Sequence, residues 1–259
     1  KMGGAMPRNV LITAGGSGIG LAMAEAFMAK GDHVAVTDSD PAAIAALAAL
    51  HPELLALEAD ASSEGAMQSV FAALKEQWDR LDVVMANAGI AGPTAAIEDV
   101  QLTDWQRCIA VNLDGAFLTS SMAAAWMKPQ GSGVITLTSS TAGLFGYPFR
   151  SPYAAAKWGI IGLTKTLAME LGPFDIRVNA ICPGSVEGDR MDRVIANEAK
   201  ARGITEDALR KGYGDLVSLR RFVTQEDIAN MAIFLASPEA RNITGTAMAV
   251  DGHTERVTL

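Results

Sequence analysis

Tyr153 and Lys157 stand four residues apart, with Ser140 thirteen residues before the tyrosine, and these three side chains together suit proton transfer. Residues four apart on a helix share a face, so the Lys157 ammonium can lie beside the Tyr153 hydroxyl. A phenol with its ordinary pKa of about 10 is inert as a base at neutral pH, but a nearby positive charge favours phenolate and lowers that value. Brønsted behaviour then makes such a tyrosine useful as a general acid or base near the working pH. The same spacing also describes a buried ring beside a solvated cation on an ordinary amphipathic helix. The elements around the pair have to decide.

A second group of residues suits phosphate. Thr13-Ala14-Gly15-Gly16-Ser17-Gly18-Ile19-Gly20 follows an apolar run and leads directly into a helical pattern. Glycines there let backbone N–H groups approach a pyrophosphate, the helix N-terminus favours its charge, and the last glycine permits close helix–strand packing. The candidate contacts are Gly15, Ser17, Gly18, Ile19 and Gly20, although Gly15-x-x-Gly18-x-Gly20 departs from the common G-x-G-x-x-G spacing. A later apolar run ends at Asp38, twenty residues beyond Gly18, where a carboxylate can accept hydrogen bonds from ribose hydroxyls. It would repel a 2′-phosphate, and no Arg or Lys follows closely, which favours NAD over NADP. Asp38-Ser39-Asp40-Pro41 is equally good turn and N-cap chemistry.

The elements that must position these residues form an alternating series. Short apolar runs recur at Val10–Thr13, His33–Thr37, Leu54–Leu57, Leu81–Met85, Val134–Leu137 and Ile176–Ala180. Alanine-rich segments with helical spacing lie between them, at Ile19–Lys30, Ala42–Leu50, Met67–Trp78 and Leu113–Met127. This pattern predicts an α/β fold, a parallel sheet covered by helices on both faces, with ligands at the carboxyl ends of the strands. A chain of 259 residues with 49% hydrophobic residues and 25 glycines fits one large domain of this kind over residues 7–259. Lys1–Met6 reads as an expression remnant and is set apart.

Other classes of function fall away. A formal charge of −8 would repel a nucleic-acid backbone, so no nucleic-acid partner is expected. The Val10–Ala14 run is too short for a signal core and no apolar stretch approaches the ~20 residues that span a bilayer, so a cytoplasmic protein with no membrane partner is expected. Cys108 and Cys182 lack CxxC spacing, and His33, His51 and His253 form no cluster, so neither a disulfide framework nor a metal site is expected.

The Thr13–Gly20 turn, Asn87-Ala88-Gly89, Asn112, Ser140 and Tyr153-xxx-Lys157 together resemble the short-chain dehydrogenase/reductase family, in its compact single-domain branch. The likeness extends through Arg177–Gly184, Glu226–Ala229 and Val250-Asp251-Gly252. It implies a Rossmann-like doubly wound parallel sheet, a nicotinamide dinucleotide as cofactor, which Asp38 specifies as NAD, and a small alcohol or ketone as substrate. By this resemblance Tyr153 exchanges the substrate proton, and Lys157 lowers the tyrosine pKa and holds the nicotinamide ribose. Ser140, the second of its serine pair, hydrogen-bonds the reacting oxygen, and Asn112 carries a proton relay through water. It also implies that Asp60 and Ala61 flank the adenine, that Asn87, Ala88 and Gly89 shape the cofactor floor, and that Val186, after Pro183-Gly184, meets the carboxamide. On the residues alone, Asn87-Ala88-Gly89 suits a strand-end turn and Asn112 a backbone-bonded helix residue.

Three positions depart from the family pattern. Ala14 replaces the usual first glycine, which predicts a backbone that avoids positive φ. Gly188 stands where a threonine is common, and His253 where another glycine is frequent. Between residues 187 and 219 the chain is charged, helix-compatible and less family-like, and the resemblance implies that a substrate lid lies there; Glu187, Arg190, Met191 and Arg193, with Tyr147, Phe149 and Arg150 before the tyrosine, are the substrate candidates. The arginines would suit a carboxylate, sulfonate or polyhydroxylated substrate, a Met and aromatic lining an aryl alcohol, and lid charges also commonly face water. Ala123, Ala124, Ala125, Leu163, Leu167 and Met169 are expected on outer helix faces, where the resemblance implies a homotetramer. The rival readings are an NADPH-dependent carbonyl or oxoacyl reductase and a catalytically idle dinucleotide sensor.

Overall fold

The structure, a computed structural model, describes residues 6–255; the Lys1–Met6 segment, apart from Met6, lies outside them. Strand and helix alternate from the start: β1 (Asn9–Thr13), α1 (Gly18–Ala29), β2 (His33–Asp38), α2 (Pro41–Leu50), β3 (Leu55–Glu58), α3 (Glu64–Gln77) and β4 (Val83–Ala86). There follow α4 (Leu102–Ile109), α5 (Gly115–Gln130), β5 (Gly133–Thr138), α6 (Ser151–Leu171) and β6 (Ile176–Pro183). The chain then forms α7 (Asp189–Arg202), α8 (Glu206–Asp215), α9 (Gln225–Leu235) and β7 (Ala247–Val250). Among the described residues seven strands pair in the order β3-β2-β1-β4-β5-β6-β7, all parallel. This is the predicted Rossmann-like doubly wound sheet, and its order reverses between β1 and β4.

Strand periodicity explains the two-sided core. In β1, Leu11 points to one face while Val10 and Ile12 point to the other, as a period of two requires. Leu11, Val84, Ile135 and Val178 pack beneath Phe71 of α3, Met127 of α5 and Ile160 of α6. Val10, Ile12, Met85 and Ile181 pack beneath Phe27 of α1, Leu47 of α2 and Ile228 of α9. Because both faces are covered, the strands read as continuous apolar runs. Side-chain caps set several helix starts: Asp40 accepts from Ala42 N at 2.9 Å with Pro41 at the first turn of α2, and Thr224 and Asp227 form a capping box on α9.

Some expectations need correction. α3 begins at Glu64 rather than Met67, because Ser63 caps it. β7 was not expected: Ala247–Val250 has little strand character of its own and gains it by pairing with β6. Ala123 is fully buried in the core rather than on an outer face; Ala124, Leu163 and Leu167 are half-buried against it, while Ala125 and Met169 are exposed.

The structure joins α4 and α5 through a π-helical turn, Ala110–Asp114, into one helical run, Leu102–Gln130, which is long and apolar enough to span a bilayer. No single apolar stretch in the sequence announces this length. Half of the run's most apolar window is buried, and Ala116, Ala123 and Met127 belong to the main core, so it packs as an interior helix.

Outside the two main layers, α7 and α8 enclose a small apolar cluster of their own. Met191, Ile195, Ala199, Leu209 and Tyr213 form it, with Tyr147, Val194 and Phe222 packed against them.

Candidate active site

A cleft of about 830 Å³ opens at the carboxyl ends of the strands, beside the reversal in strand order. Ser17, Gly18, Ile19 and Gly20 line it at the start of α1. Gly18 sits at φ 57, and a Cβ on Gly20 would lie 2.2 Å from the Ala14 carbonyl oxygen. Gly15 lies beneath the turn, against Val36, and supports it from behind. Ala14 contradicts its expectation: its φ is 52, the left-handed region, which costs a non-glycine residue roughly 1–2 kcal/mol. Bonds on both sides hold it there. Asn87 Nδ2 donates to the Thr13 and Ala14 carbonyls at 3.2 Å, and Gly15 N donates to the Thr37 carbonyl at 3.0 Å.

Gly20→Ala therefore has no relaxed solution, since backbone rather than a flexible side chain stands in the way. The expected result is a loss of stability of about 1–3 kcal/mol, the usual cost of overpacking, together with weaker dinucleotide binding. Urea denaturation and NADH fluorescence titration check both.

Asp38 is aimed into the cleft by its own neighbours: Oδ2 accepts from Gly16 N at 3.0 Å and Oδ1 from Asp40 N at 3.1 Å. Asp60 also lines the cleft with Ala61. The Ser62 hydroxyl, donating to Asp60 Oδ1 at 2.7 Å, is the main cause holding that carboxyl below its usual range. The basic side chains on the cleft lining are Lys157, Arg190 and Arg193, all from α6 and α7.

At the other end, one threonine hydroxyl joins the two halves of the sheet. Thr13 Oγ1 accepts from Asn87 N at 3.0 Å and from Ala88 N at 3.1 Å, while Thr138 Oγ1 donates to Asn87 Oδ1 at 3.0 Å. Lys157 is buried, and its Nζ donates to the Thr138 carbonyl at 2.8 Å while lying 5.5 Å from the Tyr153 ring centroid. The two adjacent serines both border the cleft but differ in burial and partner. Ser139 is buried and donates its hydroxyl to the Lys157 carbonyl at 2.8 Å, whereas the half-buried Ser140 accepts from Ala142 N at 3.1 Å on the cleft wall.

The electrostatics favour an activated phenol. Burial alone pushes the Tyr153 pKa up, but the Lys157, Arg190 and Arg150 charges and a hydrogen bond with Ser140 outweigh it and hold the phenol below its ordinary value. Burial is also the main cause that lowers the Lys157 pKa.

Asn112 lies in the π-helical turn, where such local widening frequently serves a site. Its Nδ2 donates to the Cys108 carbonyl at 2.9 Å and the Ile90 carbonyl at 3.0 Å, leaving buried Oδ1 without a partner. A Cβ on Gly89 would lie 2.6 Å from that Oδ1 and 3.3 Å from Lys157 Nζ. The missing side chain at Gly89 thus leaves the orphan acceptor and the ammonium facing the same space, where a polar ligand or water would satisfy Asn112.

Asn87, Ala88, Gly89, Pro183, Gly184 and Val186 complete this wall. Gly184 N donates to the Val250 carbonyl, and Val186 bridges to Val223. Gly188 has φ 128, which explains why threonine is absent there, and His253 takes φ 67 where glycine is frequent.

Of the substrate candidates, Glu187, Arg190, Met191 and Arg193 line the cleft, and Arg190 Nη1 reaches across it to the Gly89 carbonyl at 3.2 Å. Tyr147, Phe149 and Arg150 do not line it. Arg150 is buried, donates to the Ala91 carbonyl at 2.9 Å and stacks 4.8 Å from the Tyr153 ring centroid, so it is enclosed behind the tyrosine. Tyr147 turns its hydroxyl to Tyr213. The sequence reading missed Thr138, Thr94, Val194 and Asn197; only Thr138 carried a signal, as a polar end to an apolar strand. No group of three metal-ligating side chains occurs among the described residues.

A family model described as enoyl-(acyl carrier protein) reductase matches residues 13–253, which includes every group that borders the cleft. The chain belongs to the short-chain dehydrogenase/reductase family. Among its short-chain dehydrogenase/reductase relatives, D-beta-hydroxybutyrate dehydrogenase of Rhizobium meliloti (strain 1021) is 34% identical over 95% of this chain and 98% of its own. 2-(S)-hydroxypropyl-CoM dehydrogenase 3 of Xanthobacter autotrophicus (strain ATCC BAA-1158 / Py2) is 35% identical over 94% of each. The crystal structure of an NAD⁺-bound xylitol dehydrogenase superposes with a TM-score of 0.90 at 29% identity, covering 95% of this chain and 98% of that one. The protein is thus an oxidoreductase of a family that uses a nicotinamide dinucleotide.

Proposed function

We propose that this short-chain dehydrogenase/reductase is NAD-dependent and interconverts a secondary alcohol and a ketone by hydride transfer, with Tyr153 as general acid/base. The carrying observation is a phenol held below its ordinary pKa beside buried Lys157, on the same cleft as the glycine turn and Asp38. The polar wall fits a dinucleotide: the bare Gly89 leaves open the space in front of Lys157 Nζ and of the Asn112 acceptor, which lacks a partner. Ser17, Gly18, Ile19 and Gly20 would hold the pyrophosphate over Gly15, Asp38 the adenosine ribose, Asp60 and Ala61 the adenine, and Asn87 to Gly89 with Pro183, Gly184 and Val186 the nicotinamide end. NAD so held would supply the hydride acceptor.

The chain's own groups handle the proton. Tyr153 Oη takes it from the substrate hydroxyl, Ser140 Oγ donates to the reacting oxygen, and Lys157 stabilises the phenolate. Asn112 Oδ1 orients a water next to Lys157, through which the proton leaves. The substrate carries a secondary hydroxyl, as hydroxybutyrate and xylitol do, and Arg190 and Arg193 suit a carboxylate, sulfonate or polyol. We assign residues 7–259 to one catalytic unit, with α7 and α8 as its lid. Exposed Phe117, Trp158 and Met169 on α5 and α6 favour a homotetramer, and two buried, unpaired cysteines suit a reducing cytoplasm.

Screening hydroxy acids, polyols, sulfonated alcohols and aryl alcohols by NADH absorbance tests the reading. No turnover of any alcohol or ketone despite tight NAD binding would favour the idle sensor. The pH profile offers an independent check. Oxidation needs the phenolate, so kcat/KM rises with pH through the Tyr153 pKa and reduction falls over the same range. Arg190→Ala removes a charge that depresses this pKa, so its rising limb should move to higher pH. An unmoved limb would remove Arg190 from the electrostatics of Tyr153.

A further inference from the structure

Side chains of α7 and α8 make two hydrogen bonds to residues outside the 187–221 segment, among the described residues. One is the Arg190 contact with the Gly89 carbonyl. The other is Tyr213 with Tyr147, oxygen to oxygen 2.5 Å, and it continues inward. Tyr213 donates to Glu198 Oε2 at 2.5 Å, and Glu198 Oε1 pairs with Arg202 at 2.8 Å. Glu198 is 1% exposed and Tyr213 8% exposed, so the middle of this four-residue chain is buried, with Tyr147 and Arg202 half-buried at its ends.

The donor order follows from counting protons. Tyr213 has one hydroxyl proton and spends it on the Glu198 carboxylate, so Tyr147 must donate to Tyr213. Burial, first among the causes, pushes both phenols up, Tyr147 to about 12, so both stay neutral donors at working pH. Tyr147 belongs to the loop before α6, and the Arg150 guanidinium lies over both its ring, at 5.9 Å, and that of Tyr153, at 4.8 Å. At the lid end, Met191 and Val194 are members of the Tyr213 cluster and also line the cleft. The Tyr213 cluster therefore reaches the wall of the substrate space through Met191 and Val194, and Tyr147 shares Arg150 as a neighbour with Tyr153.

We propose that Tyr147, Tyr213 and Glu198 form a latch that docks the α7–α8 lid on the loop before Tyr153 and fixes the Met191–Val194 wall against which the substrate packs. They are positioning residues, acting through that wall and through Arg150. The latch deepens the dehydrogenase reading and rests on it for its kinetic consequence, but its docking role can be read without turnover.

Tyr213→Phe removes only the shared oxygen. The expected result is hydrogen–deuterium exchange of α7 and α8 amides at least ~10-fold faster, with β1, β4 and β5 unchanged. Alcohol KM should rise about 10-fold, with kcat within ~3-fold and the NADH dissociation constant within ~2-fold of the parent. Tyr147→Phe, which loses only the bond to Tyr213, should shift both readouts in the same direction and by no more, and the double variant should not exceed Tyr213→Phe, which has already lost the shared bond together with the one to Glu198. Glu198→Gln, which retains an acceptor for Tyr213, should fall between parent and Tyr213→Phe. Unchanged lid exchange, faster exchange throughout the molecule, or additive effects in the double variant would each overturn the latch. If the parent turns over no alcohol, the dehydrogenase reading fails while the exchange arm still decides the latch.

Discussion

Tyr153→Phe should bind NADH as the parent does and lose on the order of 10²–10⁴-fold in kcat for alcohol oxidation, the range general acid–base catalysis supplies. The ring keeps its packing under Arg150 and beside Lys157, so the fold and the cleft are unaffected. What disappears is the one oxygen whose pKa the surrounding cations hold down. The rising limb of the pH profile should vanish with it. Stopped-flow turnover and NADH fluorescence titration measure the two quantities separately, and near-native turnover on the best substrate would sink the tyrosine assignment.

The second large effect concerns Asp38. Its carboxylate is presented to the cleft by Gly16 N and Asp40 N, and the basic residues on the lining come from α6 and α7. A hydrogen bond to a charged acceptor contributes about 1.5–3 kcal/mol, so Asp38→Asn should weaken NADH binding about 10-fold or more. Removal of the negative charge should at the same time strengthen NADPH binding by about 10-fold, so the ratio of NADH to NADPH affinity should fall from both sides. Side-by-side titrations of the two reduced cofactors check it. A parent that binds NADPH more tightly than NADH would make the NADPH-linked reductase the better reading.

The sheet was legible because both faces are buried. Val10–Thr13 and Val134–Leu137 stand out as apolar runs whose next residues, Ala14 and Thr138, line the cleft. β7 was hidden, since Ala247–Val250 borrows its strand character from β6. Side chains that serve the site through local spacing, such as Tyr153 with Lys157, could be found by periodicity. Side chains that serve it across the fold could not: nothing local ties Thr13 to Asn87 or Tyr147 to Tyr213, which are 74 and 66 residues apart. Arg150 misled because a charge in a loop suggests solvent or ligand, whereas here two aromatic rings and a carbonyl enclose it. Ala14 misled because alanine at positive φ is unfavourable in isolation, and its compensation comes from Asn87 in a distant strand end.

The π-helical turn at Asn112 also restricts how this chain can change over generations. Loss of the extra residue would rotate all of α5 by about 100° relative to α4. Ala116, Ala123 and Met127 would swing out of the core as Asn112 left Gly89 and Lys157. Mutation between Leu102 and Gln130 is therefore confined to exchanging side chains, because a one-residue insertion or deletion there would damage packing and chemistry in a single step. The loops elsewhere can drift in length; this helix should keep its count.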